Sequence, residues 1–315
     1  MAYEFTRKTD NVDDVMAADV NELQAAIETL SQLKGVCNGR LTLESGVPIS
    51  TNNQTDKTTL FFTPYNGNSI DLYNGINWIR HTFTQRTLAI GALTASKPHD
   101  IFIYNNSGTL TLSATEWTNA TTRATALTRQ DGVYVKSGAT NYRYLGTIYI
   151  DSGQKCQDTN GARFVWNNQN RVRRLLFATD TTNSWTYTTA TYRPFNNSSV
   201  DGVGRVSLVC GLEEDILSMT CKAAFSNSSA GVLVCVGIGF NTSGGGRQDG
   251  GLTHAAHSYA ANGIVHVDSY LNKTIPAGCY YISTMEYSAA TGTTTWYGDN
   301  ASVAFASGLS GVWTC

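Results

Sequence analysis

The chain has 315 residues, of which 41% are hydrophobic and 15% are charged, and its formal net charge is −2. The apolar content excludes wholesale disorder, and the small net charge excludes a dominant attraction to nucleic acid or to an anionic membrane. The 41 threonines favour β-sheets with polar, weakly charged surfaces, and the length predicts two domains with a short appendage.

One amphipathic helix is predicted near the start of the chain. Its apolar residues are spaced four and three apart, as in the seam of a coiled coil: Met16, Val20, Leu23, Ile27 and Leu30. Residues 1–35 carry three basic and seven acidic side chains, a net charge of −4, so the remainder carries +2. We predict oligomerisation through the seam, although a helix packed on its own domain has the same pattern and the a/d residues alone favour two strands over three.

The residues after Gly35 predict short β-strands separated by turns. The clearest strands are Thr59–Phe62, Ile101–Tyr104, Thr109–Ser113, Val133–Val135 and Leu145–Ile150. Asp131-Gly132 is typical of a hairpin corner. Trp78 and Trp117 are expected to be core anchors, because tryptophans of strand-rich domains usually pack inside.

A basic, polar stretch, Asn167–Arg174, interrupts these strands and marks a predicted domain boundary. We therefore divide the chain into a helical attachment segment (1–36), a middle β domain (37–175) and a C-terminal β-sandwich (176–315). Three arginines without interleaved aromatic residues indicate a subunit or interdomain contact in preference to nucleic-acid binding.

The C-terminal part predicts seven or more strands and no helix, which is typical of a jelly-roll-like sandwich. The predicted strands are Ser184–Thr188, Leu217–Phe225, Val232–Phe240, Ile264–Val267, Cys279–Ser283, Thr293–Tyr297 and Val303–Phe305. Val232–Phe240 is almost entirely apolar, so we expect a central strand that is buried on both faces.

The sequence contains none of the short catalytic signatures: no phosphate-binding loop, dinucleotide fingerprint, nucleophile elbow or HExxH. Glu213–Asp215 is expected to be a solvated turn, because adjacent strand carboxylates point to opposite faces. His254 and His257, with His266 further along, supply too few ligands at fixed spacing for zinc. We therefore predict a protein that is not an enzyme and has no cofactor or metal.

Aromatic residues beside aspartate and asparagine give the best candidates for recognition of a sugar. They are Trp185, Tyr187, Trp296, Tyr297, Asp299 and Asn300. The alternative is that Trp296 is a core residue and that residues 298–300 form a turn.

Seven cysteines with no regular spacing predict free, buried thiols and assembly in a reducing cytoplasm. The first residues lack an apolar signal segment, and no stretch is long and apolar enough for membrane insertion.

Several motifs resemble those of virion structural proteins of tailed bacteriophages, of the tail-fibre type. The segment Asp14–Gln24 resembles the N-terminal segments by which phage fibres attach or trimerise, and Arg40–Ile49 resembles the start of a virion module. Further marks, within a resemblance that covers roughly residues 10–175, are Phe62-Thr-Pro-Tyr, Asp71-Leu-Tyr-Asn-Gly, Asp100-Ile-Phe-Ile-Tyr and Tyr144-Leu-Gly-Thr.

The resemblance implies a location in the virion and a homotrimer. The expected function is that of a fibre subunit, anchored to other virion proteins through its N-terminal segment and presenting the C-terminal sandwich to a bacterial surface glycan. A capsid-bound head fibre or decoration protein is one alternative. A polysaccharide depolymerase is another, although the few acidic residues of the C-terminal half and the lack of a β-helix repeat weigh against it.

Overall fold

The computed structural model describes residues 21–24, 35–241, 254–299 and 306–315. The predicted fold class is confirmed, because the described chain is almost entirely β apart from short helical turns. Residues 21–24 are helical, within the predicted N-terminal helix, and the Leu23 side chain is 48% exposed. The other four seam residues, Met16, Val20, Ile27 and Leu30, lie outside the described residues, so oligomerisation through the seam stays a prediction.

The first half of the described chain contributes strands that are mostly short. They are β1 Gly39–Thr42, β2 Gln54–Lys57, β3 Thr59–Pro64, β4 Ser69–Tyr73, β5 Trp78–Thr82, β6 Arg86–Ala89, β7 Lys97–Asn106, β8 Thr109–Glu116, β9 Leu127–Gln130, β10 Val133–Lys136, β11 Ala139–Ile150, β12 Cys156–Asp158, β13 Ala162–Arg163 and β14 Val165–Asn167.

The second half contributes longer strands and one 3₁₀ turn, Phe195–Asn197. The strands are β15 Arg173–Thr179, β16 Ser184–Thr186, β17 Arg193–Pro194, β18 Arg205–Cys210, β19 Ile216–Asn227, β20 Leu233–Phe240, β21 His254–His257, β22 Val265–Thr274, β23 Gly278–Ser288, β24 Thr294–Tyr297 and β25 Gly308–Thr314.

The middle of the chain forms an antiparallel sheet in the order β8-β7-β11-β10-β9, with β14 also paired to β11. A three-stranded sheet, β1-β3-β6, and the hairpin β4-β5 accompany it. Their apolar side chains, such as Leu60, Ile103 and Ile148, form one buried cluster. The predicted hairpin corner joins β9 to β10, where Asp131 and Gly132 both have positive φ, 50° and 85°. This geometry is that of a two-residue hairpin turn, which Asp-Gly accommodates without strain.

The C-terminal part is a sandwich of two sheets, as predicted. One sheet has the order β2-β12-β13-β18-β23-β20-β21, with β17 on β23, and the other has the order β15-β25-β19-β24-β16, with β22 on β19. β20 lies between β23 and β21 and is buried along almost its whole length. Alternate residues of β19 face the core, because successive strand side chains point to opposite sides of a sheet.

The middle domain and the sandwich share a β-sheet and a hydrophobic cluster. β2, β12 and β13 belong to a sandwich sheet, and Phe102, Tyr144 and Trp166 lie in the same buried cluster as the sandwich core. The boundary between residues 175 and 176 therefore stays a prediction, with side chains packed across it.

Two arginines reinforce this junction. Arg123 forms an ion pair with the buried Asp100, with Nε and Oδ2 2.7 Å apart, and also donates to the carbonyl of Gly211. Arg171 of the basic stretch pairs with Glu214 and Asp215, with its Nη2 2.8 Å from Glu214 Oε2. Arg171 thus joins residues on either side of the predicted boundary. Glu213 and Glu214 lie in an exposed turn, as predicted, and Arg171 pairs with Glu214 and Asp215 of that segment.

The two tryptophans expected in the core differ. Trp117 is buried, as predicted. The prediction for Trp78 is wrong, because its ring is half-buried and its indole N–H reaches the carboxylate of Asp131 in the hairpin corner, with a nitrogen–oxygen distance of 3.0 Å. Among the described residues there is no helix with the length and apolarity to cross a membrane.

Candidate functional site

Two paired strands, β16 and β24, carry the aromatic residues predicted for recognition. Trp185 lies opposite Trp296, and Ser184 lies opposite Tyr297. Cross-strand partners share a face and neighbouring residues do not, so the two tryptophans are on one side of the sheet and Tyr297 is on the other. The predicted residues therefore do not form one continuous exposed surface.

Trp296 is a core residue, which corrects the expectation of an exposed ring. Its side chain has 0% exposure, and its ring packs against Phe195 and Phe225 at centroid distances of 5.6 and 5.7 Å. Its indole N–H donates to the carbonyl of Tyr187, with a nitrogen–oxygen distance of 3.3 Å. The opposite face of β24 is partly exposed, so Trp296 lies on the side of the strand that faces the sandwich interior.

Trp185 and Tyr187 lie beside an ion pair between Arg193 and the buried Glu286. Glu286, on β23, has 0% exposure, and one of its oxygens accepts the Trp185 indole N–H at 2.7 Å. The other oxygen accepts Nε of Arg193 at 2.6 Å, and the Arg193 guanidinium lies 3.8 Å from the centroid of the Tyr187 ring. Burial raises the pKa of Glu286 to about 7, and the Trp185 hydrogen bond and the Arg193 charge oppose that shift.

The remaining predicted residues lie near the other face. The Tyr297 hydroxyl is 2.9 Å from that of Ser226, and the backbone N–H of Asp299 donates to the Asp180 carbonyl at 2.9 Å. Asn300 lies outside the described residues. Tyr297 and Asp299 are thus partly exposed residues with intramolecular contacts, and their role in binding stays a prediction.

The solvent side of β15, β25, β19 and β22 is an exposed face of the sandwich, and we call it the outer face. Its residues alternate with buried ones along each strand, and the register sets them in rows across the sheet. Below, the name refers to its central residues, which are Leu175, Phe177, Ile216, Ser218, Thr220, Tyr270, Asn272, Ser310 and Val312, and which are flanked by Arg173 and by the pair Lys222 and Asp268.

One row of the outer face carries an aromatic ring at each end. Phe177 lies opposite Ser310, which lies opposite Thr220, which lies opposite Tyr270. Three strand spacings put the two rings ~14 Å apart, with two hydroxyl side chains between them. Phe177 is 44% exposed and Tyr270 is 51% exposed, so both rings are accessible.

The outer face is apolar for a solvated sheet. Of the ten large hydrophobic side chains that are exposed among the described residues, four belong to it: Leu175, Phe177, Ile216 and Tyr270. Exposed apolar residues that are scattered singly need no explanation, but a contiguous patch of them indicates a binding surface. The adjoining row contains one charged pair, Lys222 opposite Asp268.

Two open cavities flank β22. One, of about 490 Å³, is bounded by Lys222, His266, Asp268 and Ser307, beside the outer face. The other, of about 460 Å³, lies between β21 and β22 and includes His257 and the 87% exposed Tyr259. In the described part of the chain, no three His, Cys, Asp or Glu side chains are grouped so as to hold a metal ion.

The outer face was not predicted from the sequence. The strand β15, which contributes Leu175 and Phe177, begins with the last two arginines of the stretch that we interpreted as a domain boundary, and its alternation of exposed and buried residues begins there. The signal was the period-two pattern Arg173, Leu175, Phe177, whose intervening residues Leu176 and Ala178 are buried.

All seven cysteines lie among the described residues and are free, and six of them are buried, as predicted. Burial raises the pKa of the Cys156 thiol well above its ordinary value. These thiols are therefore core residues with little thiolate at neutral pH.

No family model matches the chain, and no curated protein matches it. Among solved structures, an insecticidal delta-endotoxin of Bacillus thuringiensis aligns with 92% of this chain and 55% of its own length, at 7% identity and a TM-score of 0.24. A structure of infectious bursal disease virus aligns with 90% of this chain and 68% of its own, at 12% identity and a TM-score of 0.24. An exo-β-1,3-galactanase of Phanerochaete chrysosporium aligns with 88% of this chain and 68% of its own, at 11% identity and a TM-score of 0.19. The chain thus spans about half the length of the toxin, and similarity at this level carries no conclusion about function.

Proposed function

We propose that the chain is a fibre-type subunit of a tailed-phage virion that attaches to a bacterial surface glycan through the outer face of its sandwich. The concentration of four large exposed apolar side chains on one sheet face carries the proposal. The sequence resemblance supports the virion location and a homotrimer, and the helical seam supports self-association and anchoring to other virion proteins through the N-terminal segment.

The chemistry of the outer face suits a saccharide. A pyranose has an apolar C–H face and a rim of hydroxyl groups. Phe177 and Tyr270 offer ring faces to the first, and Thr220, Ser310 and Asn272 offer donors and acceptors to the second. Each contact on an exposed sheet face is expected to be weak, and three copies on one fibre would raise the avidity without a tight single site.

A depolymerase would require an accessible acid. The raised pKa of Glu286 suits a general acid, but the carboxylate has 0% exposure and each of its oxygens already accepts a hydrogen bond. A glycosidic oxygen would have to displace Trp185 or Arg193 to reach it. We therefore propose that the protein binds the glycan and does not cleave it.

The proposal is tested by binding of the purified protein to immobilised capsular and lipopolysaccharides from a panel of bacteria. Wild-type protein is compared with Phe177→Ser and Tyr270→Ser, and Val200→Ser serves as a control because Val200 is 60% exposed and is not one of the outer-face residues. Binding of the wild type and the control, and its loss in both outer-face variants at unchanged melting temperature, is expected. Equal binding by all four proteins, or the appearance of new reducing ends, would contradict the proposal.

A further inference from the structure

A further cavity lies in the middle domain, and none of its residues belongs to the outer face. It is a cavity of about 260 Å³ between the β4–β5 hairpin and the ends of β7 and β11. Its lining is Leu72, Tyr73, Asn74, Ile79, His81, Asn105 and Asn141, so it includes no aspartate, glutamate, lysine or arginine. From this geometry we infer a binding site for a single neutral pyranose.

The walls of the cavity are held in place by buried polar contacts. Arg143, which is 1% exposed, donates from Nη1 to the backbone carbonyl of Asp71 on β4 at 2.7 Å. The Asp71 carboxylate in turn accepts both Nε and Nη2 of Arg80 on β5, at 2.8 and 3.1 Å. The hairpin is therefore fixed against β11, and the cavity is a preformed feature, which lowers the cost of ordering on binding.

The register between β7 and β11 explains why Asn105 and Asn141 lie close together. Arg143 lies opposite Ile103, and the same register carried two residues further sets Asn141 opposite Asn105. On the hairpin, Leu72 lies opposite Ile79 and Ile70 lies opposite His81, so both of these β5 residues share the face of β4 that carries Leu72. Carboxamides from the sheet thus meet an apolar and imidazole surface from the hairpin.

Two of the carboxamides are already oriented. Asn74 Oδ1 accepts the backbone N–H groups of Ile76 and Asn77 at 2.9 and 2.8 Å. Asn105 Oδ1 accepts the N–H of Gly108 at 2.7 Å. Their amide oxygens are thus occupied, and each Nδ2 remains as a donor.

Within the described ranges, the Asn141 carboxamide and the His81 imidazole have no protein partner, so they can accept as well as donate. The combination of several uncharged donors and acceptors with the apolar Leu72 and Ile79 matches a polyhydroxylated ring with an apolar face. The absence of a charged lining residue disfavours a phosphate, a carboxylate or a cation. The volume lies just below the ~300 Å³ at which pockets for drug-sized ligands begin, so a monosaccharide fits the size.

The test is ligand-observed NMR on the full-length protein, with D-glucose, D-galactose, L-rhamnose and N-acetyl-D-glucosamine as probes and inorganic phosphate as the anionic comparison. At least one pyranose is expected to bind with a millimolar dissociation constant. Asn141→Ala should weaken that binding about tenfold, because one to two hydrogen bonds are lost. Ile79→Glu, which places a charge in the apolar wall, should abolish it.

Two controls make the result specific. Asn52→Ala removes an exposed asparagine outside the cavity and should bind like wild type. Phe177→Ser should also bind like wild type, which separates this site from the outer face: the inference stands even if the proposed attachment surface fails. Binding of phosphate in place of the sugars, no binding of any pyranose, or wild-type affinity in both cavity variants would overturn the inference.

Discussion

The raised pKa of Glu286 predicts how the free energy of unfolding of this protein changes with pH. The carboxyl group has 0% exposure, and burial raises its pKa from 4.5 to about 7. At pH values between these two pKa values, the folded protein therefore keeps a proton on Glu286 that the unfolded chain has already released. The stability that this group contributes is complete below pH 4.5 and is lost as the pH rises through 7. The shift of 7 − 4.5 = 2.5 pKa units corresponds to about 3 kcal/mol, since one unit is about 1.4 kcal/mol.

The perturbation is Glu286→Gln, which keeps the size of the side chain and removes the titration. Urea unfolding of the wild type and the variant, followed between about pH 4 and about pH 8, yields the difference in their unfolding free energies. That difference should move against the wild type by about 3 kcal/mol over this range. Glu213→Gln, at an exposed glutamate, is the matched control for the chemical change itself. A flat profile for Glu286→Gln, or a wild type that gains stability relative to the variant as the pH rises, would refute the reasoning.

Three further outcomes follow from the packing. Trp296→Ala should lower the unfolding free energy by about 3–5 kcal/mol, because a fully buried ring leaves a cavity, and a loss below about 1 kcal/mol in urea unfolding would contradict its core position. Gly211→Ala should lower the melting temperature, since a Cβ there meets the Trp166 ring and the Tyr144 hydroxyl; an unchanged melting temperature would contradict that close approach. In a thiol-labelling time course, the six buried cysteines should react slowly in the native protein and all seven thiols rapidly in denaturant, whereas several fast native thiols would contradict their burial.

The sequence was informative wherever a local pattern determines the structure. The all-apolar run of β20 predicts a buried central strand, and β20 does lie between β23 and β21. Asp131-Gly132 accommodates the positive φ angles of a hairpin corner, so this turn was predictable from two residues. The heptad seam is equally local, but most of it lies outside the described residues.

The functional surfaces depend on pairings between distant segments, and local patterns do not contain them. Period two shows that Trp296 and Tyr297 face opposite ways, but only the position of the second sheet decides that Trp296 is inside. The outer face needs β15 beside β25, which are separated by well over a hundred residues. Asn74, Asn105 and Asn141 likewise come together only through the register of β7 with β11 and the anchoring of the hairpin by Arg143.

Light scattering coupled to size exclusion tests the fibre assignment most directly, because a fibre subunit must associate with its own copies. The full-length protein is expected to have three times the chain mass of 34.1 kDa. Replacing Val20 and Ile27 by aspartate should reduce that mass, while the same change at Ala18 and Ala25, on the opposite side of the predicted helix, should not. A wild-type protein with the mass of a single chain would contradict the assignment.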